Sequence, residues 1–118
     1  MELTYADLEN GVRKIDLKGR LDIEGTTAVD LKFTALAATQ QAFLVIDMTL
    51  VDFIASLGVA TLVRSAKAAK LRKGKIVLLN PQPNVAKVLA ATRVDHVLPV
   101  CTNLDEAFAL VLADASLS

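Results

Sequence analysis

The sequence predicts an α/β fold: one domain built on a mixed sheet of four to five strands, with helices packed against it. Three observations carry this expectation. The stretches "AFLVIDM" (42–48) and "KIVLL" (75–79) are almost unbroken apolar runs, the pattern of strands covered on both faces. Around them, apolar residues recur at helical spacing. The chain also opens on a hairpin signal, two β-prone stretches flanking Asn10-Gly11, a pair that accepts positive φ.

Taken in order, strands are expected at Glu2–Leu8 and Val12–Lys18. In "GRLDIEGTTAVDLKFTALAATQ", Val29, Phe33, Leu36 and Gln40 fall on one helical face, and Thr26 or Thr27 can cap it, which predicts a helix over Thr27–Thr39. "AFLVIDM" follows as the central strand, and "TLVDFIAS" reads as a connection. A second helix is expected from Ser56 to Lys73, with Val59, Leu62, Val63 and Ala66 as its buried stripe and Gly74 as a left-handed cap. After "KIVLL", the punctuation "NPQPN" opens a third helix over Val85–Ala91. Val97–Val100 is the expected last strand, and Thr102-x-x-Asp105 resembles a capping box that starts the closing helix. The 118 residues suit one domain, placed at 1–113, with 114–118 as a frayed tail.

Composition removes several classes of function. Lys plus Arg and Asp plus Glu both number 13, so no overall field draws a nucleic acid or an anionic membrane. The longest apolar run, Ala107–Ala113, is seven residues, far below the roughly 20 of a membrane helix. "MELTYADLENG" has no basic leader or apolar core of a secretory signal, and Cys101 is the single cysteine, so a reduced, cytoplasmic setting is expected. One histidine, His96, and one cysteine leave no usual zinc ligand set and no marked nucleophile. No metal, no cofactor, no catalytic residue and no enzymatic activity are therefore expected. Arg64–Lys75, "RSAKAAKLRKGK", carries six basic residues and no acidic one; it reads as a solvated helix face or as a docking patch for an acidic partner.

Ser56 stands out at the start of the second helix. A serine there can cap the orphan amides of the next turn. The same position suits a phosphoserine, because amides and the positive dipole end hold a dianion. Gly58, two residues on, lowers helix propensity and so points to a close backbone approach.

Over essentially its whole length the chain resembles the STAS domain family, the sulfate transporter and anti-sigma factor antagonist domains. The stretches that carry this are "IDLKGRLDIEGT", with Gly19, Leu21 and Asp22 in a Gly-x-Leu-Asp turn, then "LVIDMTLVDFIASLGVATLV", "KIVLLNPQPNVAKVLAATRVDHVLPV" and "TNLDEAFA". The motif of phosphorylated antagonists is Asp-Ser-Ser/Thr-Gly-Leu/Val after an aromatic and an aliphatic residue. Here Phe53-Ile54 precede Ala55-Ser56-Leu57-Gly58-Val59, so the serine and glycine are kept while Ala55 replaces the aspartate and Leu57 the second hydroxyl. The resemblance implies a STAS-like fold and an anti-sigma factor antagonist, a non-enzymatic switch with Ser56 as phosphoacceptor. It implies a docking surface of Asp22, Ile23, Ala55, Ser56, Leu57 and Gly58, a serine-kinase anti-sigma factor as partner, and a phosphatase that resets the serine. A phosphate-independent STAS adaptor in a signalling or transport assembly is the alternative, ahead of a small enzyme or nucleotide-binding protein.

Overall fold

The computed structural model describes residues 1–37 and 43–112. Strands Glu2–Asp7 (β1) and Val12–Leu21 (β2) pair antiparallel, with Glu2 opposite Lys18 and Asp7 opposite Arg13. Their turn runs through Asn10 at φ 61° and Gly11 at φ 74°, the positive-φ pair anticipated there. Phe43–Ile54 (β3), Lys75–Leu79 (β4) and Val100–Cys101 (β5) then add parallel to β2, giving a five-stranded mixed sheet in the order β1-β2-β3-β4-β5.

The helices are Ile23–Ala37 (α1), Ser56–Leu71 (α2), Pro83–Ala91 (α3) and Leu104–Leu112 (α4). Strands added in sequence by crossovers of one hand leave every crossover helix on one face of the sheet. That face buries Ile15, Leu44, Ile46, Met48, Ile76 and Leu78 with Phe33 of α1, Leu62 of α2 and Leu89 of α3. The other face is shorter. Val12, Val45, Val77, Leu79 and Cys101 pack there against Ala107 and Val111 of α4. Because the strand order never reverses, the sheet has no switch-point crevice of the kind that holds ligands in doubly wound folds.

Several expected boundaries move. α1 begins at Ile23, four residues before the expected Thr27, and its cap is Asp22 rather than Thr26 or Thr27. The Asp22 Oδ1 accepts from the Gly25 N–H at 2.7 Å. Gly25 reads as a helix breaker in the sequence, yet it is needed in the first turn, where a Cβ would collide with the Arg20 carbonyl oxygen. The expected helix end at Thr39, Gln40 on its stripe, and the tail 114–118 lie outside the described residues.

"TLVDFI" is strand, not connection. β3 continues to Ile54 against β2, with Leu50 opposite Lys18 and Leu21 opposite Ile54. Two register shifts, at Asp16/Lys18 and Gly19/Arg20, each put one extra residue in β3, and these bulges erase the alternation by which a strand is recognised.

At the end of α2 the left-handed residue is Lys73 (φ 61°), not Gly74, whose N–H instead bonds the Ala69 carbonyl at 2.7 Å. α3 starts at Pro83, two residues before Val85, because proline suits a first turn. Residues Val94–His96 form a 3-10 turn that leaves His96 exposed and delays the last strand to Val100–Cys101. The closing helix is capped by Asn103, whose Oδ1 accepts from the Glu106 N–H at 2.8 Å, in place of the expected Thr102 box.

Candidate functional site

The candidate residues gather where β2 and β3 end side by side. Leu21 is in register with Ile54, and the Ala55 N–H donates to the Leu21 carbonyl at 2.9 Å, so the turn into α1 and the turn into α2 are stitched together. Asp22, Ile23, Ala55, Ser56, Leu57 and Gly58 thus form one end of the domain. Nothing in sequence separation predicts this; parallel pairing of β2 with β3 produces it.

Within this group the side chains divide. Ala55, in extended conformation (φ −108°, ψ 173°), holds the N-cap position, and no side chain caps α2. Ser56 is therefore the first helical residue, exposed, and not the cap that its chemistry also suggested. Gly58 is buried against Leu21 and Ile54. Ile23 is 71% exposed and Leu57 40%, so both present apolar surface to solvent at this end.

Asp22 is tied inward. Its Oδ1 accepts from Gly25 N–H and its Oδ2 lies 3.4 Å from Arg20 Nε. The Gly25 amide foremost, with Arg20 behind it, holds the carboxyl below the usual aspartate range despite some desolvation.

Two residues join the site that sequence reasoning did not single out. Arg20 stands opposite Phe53 across the β2–β3 pair, and its guanidinium lies 4.3 Å from the centroid of the Phe53 ring, a cation–π contact. Phe53 is itself 36% exposed. Its signal was present as the aromatic of the "FIASLG" stretch, but a residue read as part of a connection carries no face. The exposed apolar residues at this end of the domain are thus Ile23, Phe53 and Leu57, and Arg20, Asp22 and Glu24 edge an open depression of about 490 Å³.

A polar cluster lies one step back along β3. Asp47 accepts from the Thr49 hydroxyl at 2.6 Å and the Thr49 amide at 2.9 Å, and its Oδ2 is 3.3 Å from Lys14 Nζ. Burial raises the Asp47 carboxyl, but the Thr49 donors and Lys14 outweigh it and leave it below its ordinary value. Among the described residues no group of three or more His, Cys, Asp or Glu side chains is disposed to hold a metal ion, and no helix is long and apolar enough to cross a membrane. The site is an exposed surface of large apolar side chains, Ile23, Phe53 and Leu57, with the Ser56 hydroxyl at a helix start and the charges of Arg20 and Asp22 at its edge.

No curated protein sequence matches the chain. Solved structures do. An anti-sigma-factor antagonist (STAS) domain protein from Planctomyces limnophilus is 26% identical, with 95% of this chain and 96% of that one covered at a TM-score of 0.79. A Thermotoga maritima protein whose assignment as an anti-sigma factor antagonist is provisional superposes at a TM-score of 0.85, with 19% identity over 92% of this chain and 93% of that one. The Bacillus cell fate determinant SpoIIAA in its phosphorylated form matches at 0.68, with 21% identity over 93% and 99% of the two chains. These likenesses agree with the sheet order and helix placement described above. The STAS domain family model matches residues 6–107, nearly the whole of the five-stranded sheet and its helices, and the chain belongs to that family.

Proposed function

We propose that this protein is an anti-sigma factor antagonist: a cytoplasmic, non-catalytic switch that binds a serine-kinase anti-sigma factor through the paired ends of β2 and β3, and is released when Ser56 is phosphorylated. The observation that carries the reading is the exposed Ser56 at the first residue of α2, on the same end of the domain as the exposed Ile23, Phe53 and Leu57. Membership of the STAS family and the likeness to antagonists support it.

The physics of the switch follows from the position. A phosphate on Ser56 would sit at the positive end of α2, where a dianion is tolerated, so the fold survives modification. The same charge would stand among exposed apolar side chains and beside Asp22, where a partner must desolvate it, so the interface does not. A phosphatase that removes the phosphate would reset the apolar surface.

A second reading has its own observation. Ala55 and Leu57 replace the carboxylate and the second hydroxyl of the phosphorylated motif, and Leu57 adds apolar area to the surface. A STAS adaptor that docks without phosphate control would look like this. Intact-mass analysis of protein from its own host, with and without phosphatase, and labelling of wild type and Ser56→Ala by serine-kinase anti-sigma factors of that host decide the matter. Phosphate on wild type and none on Ser56→Ala is the expected result. Tight complex formation with no incorporation into wild type would establish the adaptor instead.

A further inference from the structure

β4 accompanies β3 only from Phe43 to Asp47, yet β3 runs on to Ile54. Over Leu50–Ile54 one edge of β3 is paired with β2 apart from the bulged Asp52, and β4 offers no partner to the other edge. Carbonyls on such an edge need donors. The turn that follows β4, "NPQPN", brings them as side chains. Gln82 Nε2 donates to the Thr49 carbonyl at 2.9 Å, and Asn84 Nδ2 donates to the Asp52 carbonyl at 2.7 Å. Asn80 Nδ2 donates to Thr49 Oγ1 at 3.2 Å, and that hydroxyl donates in turn to Asp47.

The sequence of this turn explains why side chains do the work. Pro81 and Pro83 have no N–H to offer, so the backbone cannot supply a ladder. The amides occupy the alternate positions 80, 82 and 84, and the chain is turned toward β3 at Asn80, whose left-handed φ of 52° asparagine accepts. The acceptors lie just before the recognition segment: Asp52 is next to Phe53 and four residues from Ser56.

We propose that Gln82 and Asn84 are positioning residues, a side-chain substitute for a neighbouring strand that sets the pose in which β3 presents Phe53, Ala55 and Ser56 to a partner. The inference rests on the reading of Ser56 as the regulated, partner-facing residue. Neither amide has to touch the partner, so residues at the start of α3 would tune recognition at the start of α2.

The test compares the whole chain with its Asn84→Asp variant, similar in shape but without the N–H donor, its Asn84→Ala variant, which adds no charge, and Gln82→Met, similar in length without a donor. Backbone NMR, amide exchange, thermal melting and Ser56 phosphorylation by a serine-kinase anti-sigma factor of the same host are read on each. The carbonyl ¹³C resonance of Asp52 should shift in the Asn84 variants and that of Thr49 in Gln82→Met. Amide exchange over Phe53–Leu57 should accelerate about tenfold or more while Leu44–Asp47 keeps its wild-type rates, and kcat/KM for phosphorylation should fall roughly fivefold, the scale of one lost hydrogen bond. Wild-type exchange at Phe53–Leu57 in all three variants overturns the proposal, and so does loosened exchange with unchanged phosphorylation. A uniform loss of protection along the whole of β3 also overturns it, by reducing both residues to general stabilisers. If wild type takes up no phosphate while the carbonyl shifts and local exchange respond as expected, the reading of Ser56 fails and the placement of the segment by the amides stands.

Discussion

Gly58 is seated on Leu21 so closely that a Cβ added to it would stand 3.0 Å from both the Leu21 Cβ and the Leu21 carbonyl oxygen, with Ile54 Cγ1 at 3.1 Å. The same carbonyl oxygen accepts the Ala55 N–H. The first turn of α2 is thereby pressed onto the end of β2, which is what brings Ser56 beside the turn that holds Asp22.

Gly58→Ala therefore sets two effects against each other. Alanine gains about 1 kcal/mol of helix propensity, and overpacking against backbone costs about 1–3 kcal/mol. Overpacking should win because a carbonyl oxygen cannot rotate away as a side chain can. Denaturant unfolding should show a net loss of about 1 kcal/mol; a gain in stability would mean that α2 can shift off β2.

Ser56→Asp should leave folding intact, within about 0.5 kcal/mol of wild type, since it places a charge at a favourable helix end without removing a cap. Binding to the partner should weaken, because the charge falls on the end of the domain that exposes Ile23, Phe53 and Leu57. Melting temperature and titration calorimetry with the anti-sigma factor read the two halves separately. An unfolded variant, or one that binds as wild type does, contradicts the switch.

Acid stability should report on Asp47 and Asp22. Both carboxyls lie below their ordinary values in the folded chain. A depressed folded pKa gives stability that is complete above the unfolded value of about 3.9 and is lost as pH falls through the folded one. Unfolding free energy should thus be flat from neutrality down to about pH 5 and decline below about pH 4. Asp47→Asn should flatten part of that decline. A slope identical to wild type would show that the Thr49 and Lys14 contacts have no thermodynamic weight.

Cys101 should behave as a silent thiol. It is buried beneath α4, and burial foremost, with the nearby Glu106 charge, pushes its pKa up to about 11. Thiolate is then scarce at neutral pH. A disulfide reagent at pH 8 should leave the native protein unlabelled and modify one thiol per chain once denaturant is added. Rapid labelling of the folded protein would require α4 to open readily.

What was legible in the amino-acid order is what depends on local pattern. Unbroken apolar runs announced β4 and the first half of β3, Asn10-Gly11 announced the hairpin, and the helical spacing of Leu62 and Ala66 announced α2 and its buried side. The start of α2 at Ser56 and the close approach at Gly58 were legible too, because a hydroxyl suits a helix start and a glycine in the first turn lowers helix propensity unless packing requires it. The second half of β3 was not: its two bulges break the period of two, and only pairing with β2 makes it a strand. The start of α1 was missed because Thr26 and Thr27 offered caps next to the periodic stripe while Asp22 is the one used, and the close approach of Gly25 to the Arg20 carbonyl exists only once the chain has turned back. Phe53 and Arg20 meet only across the β2–β3 pair, and Gln82 and Asn84 reach β3 only because the turn after β4 lies against its unpaired edge. Periodicity and capping chemistry act within a few residues, so sequence alone determines them; register, bulges and close approaches are settled by which strands lie side by side, and tertiary structure alone decides those.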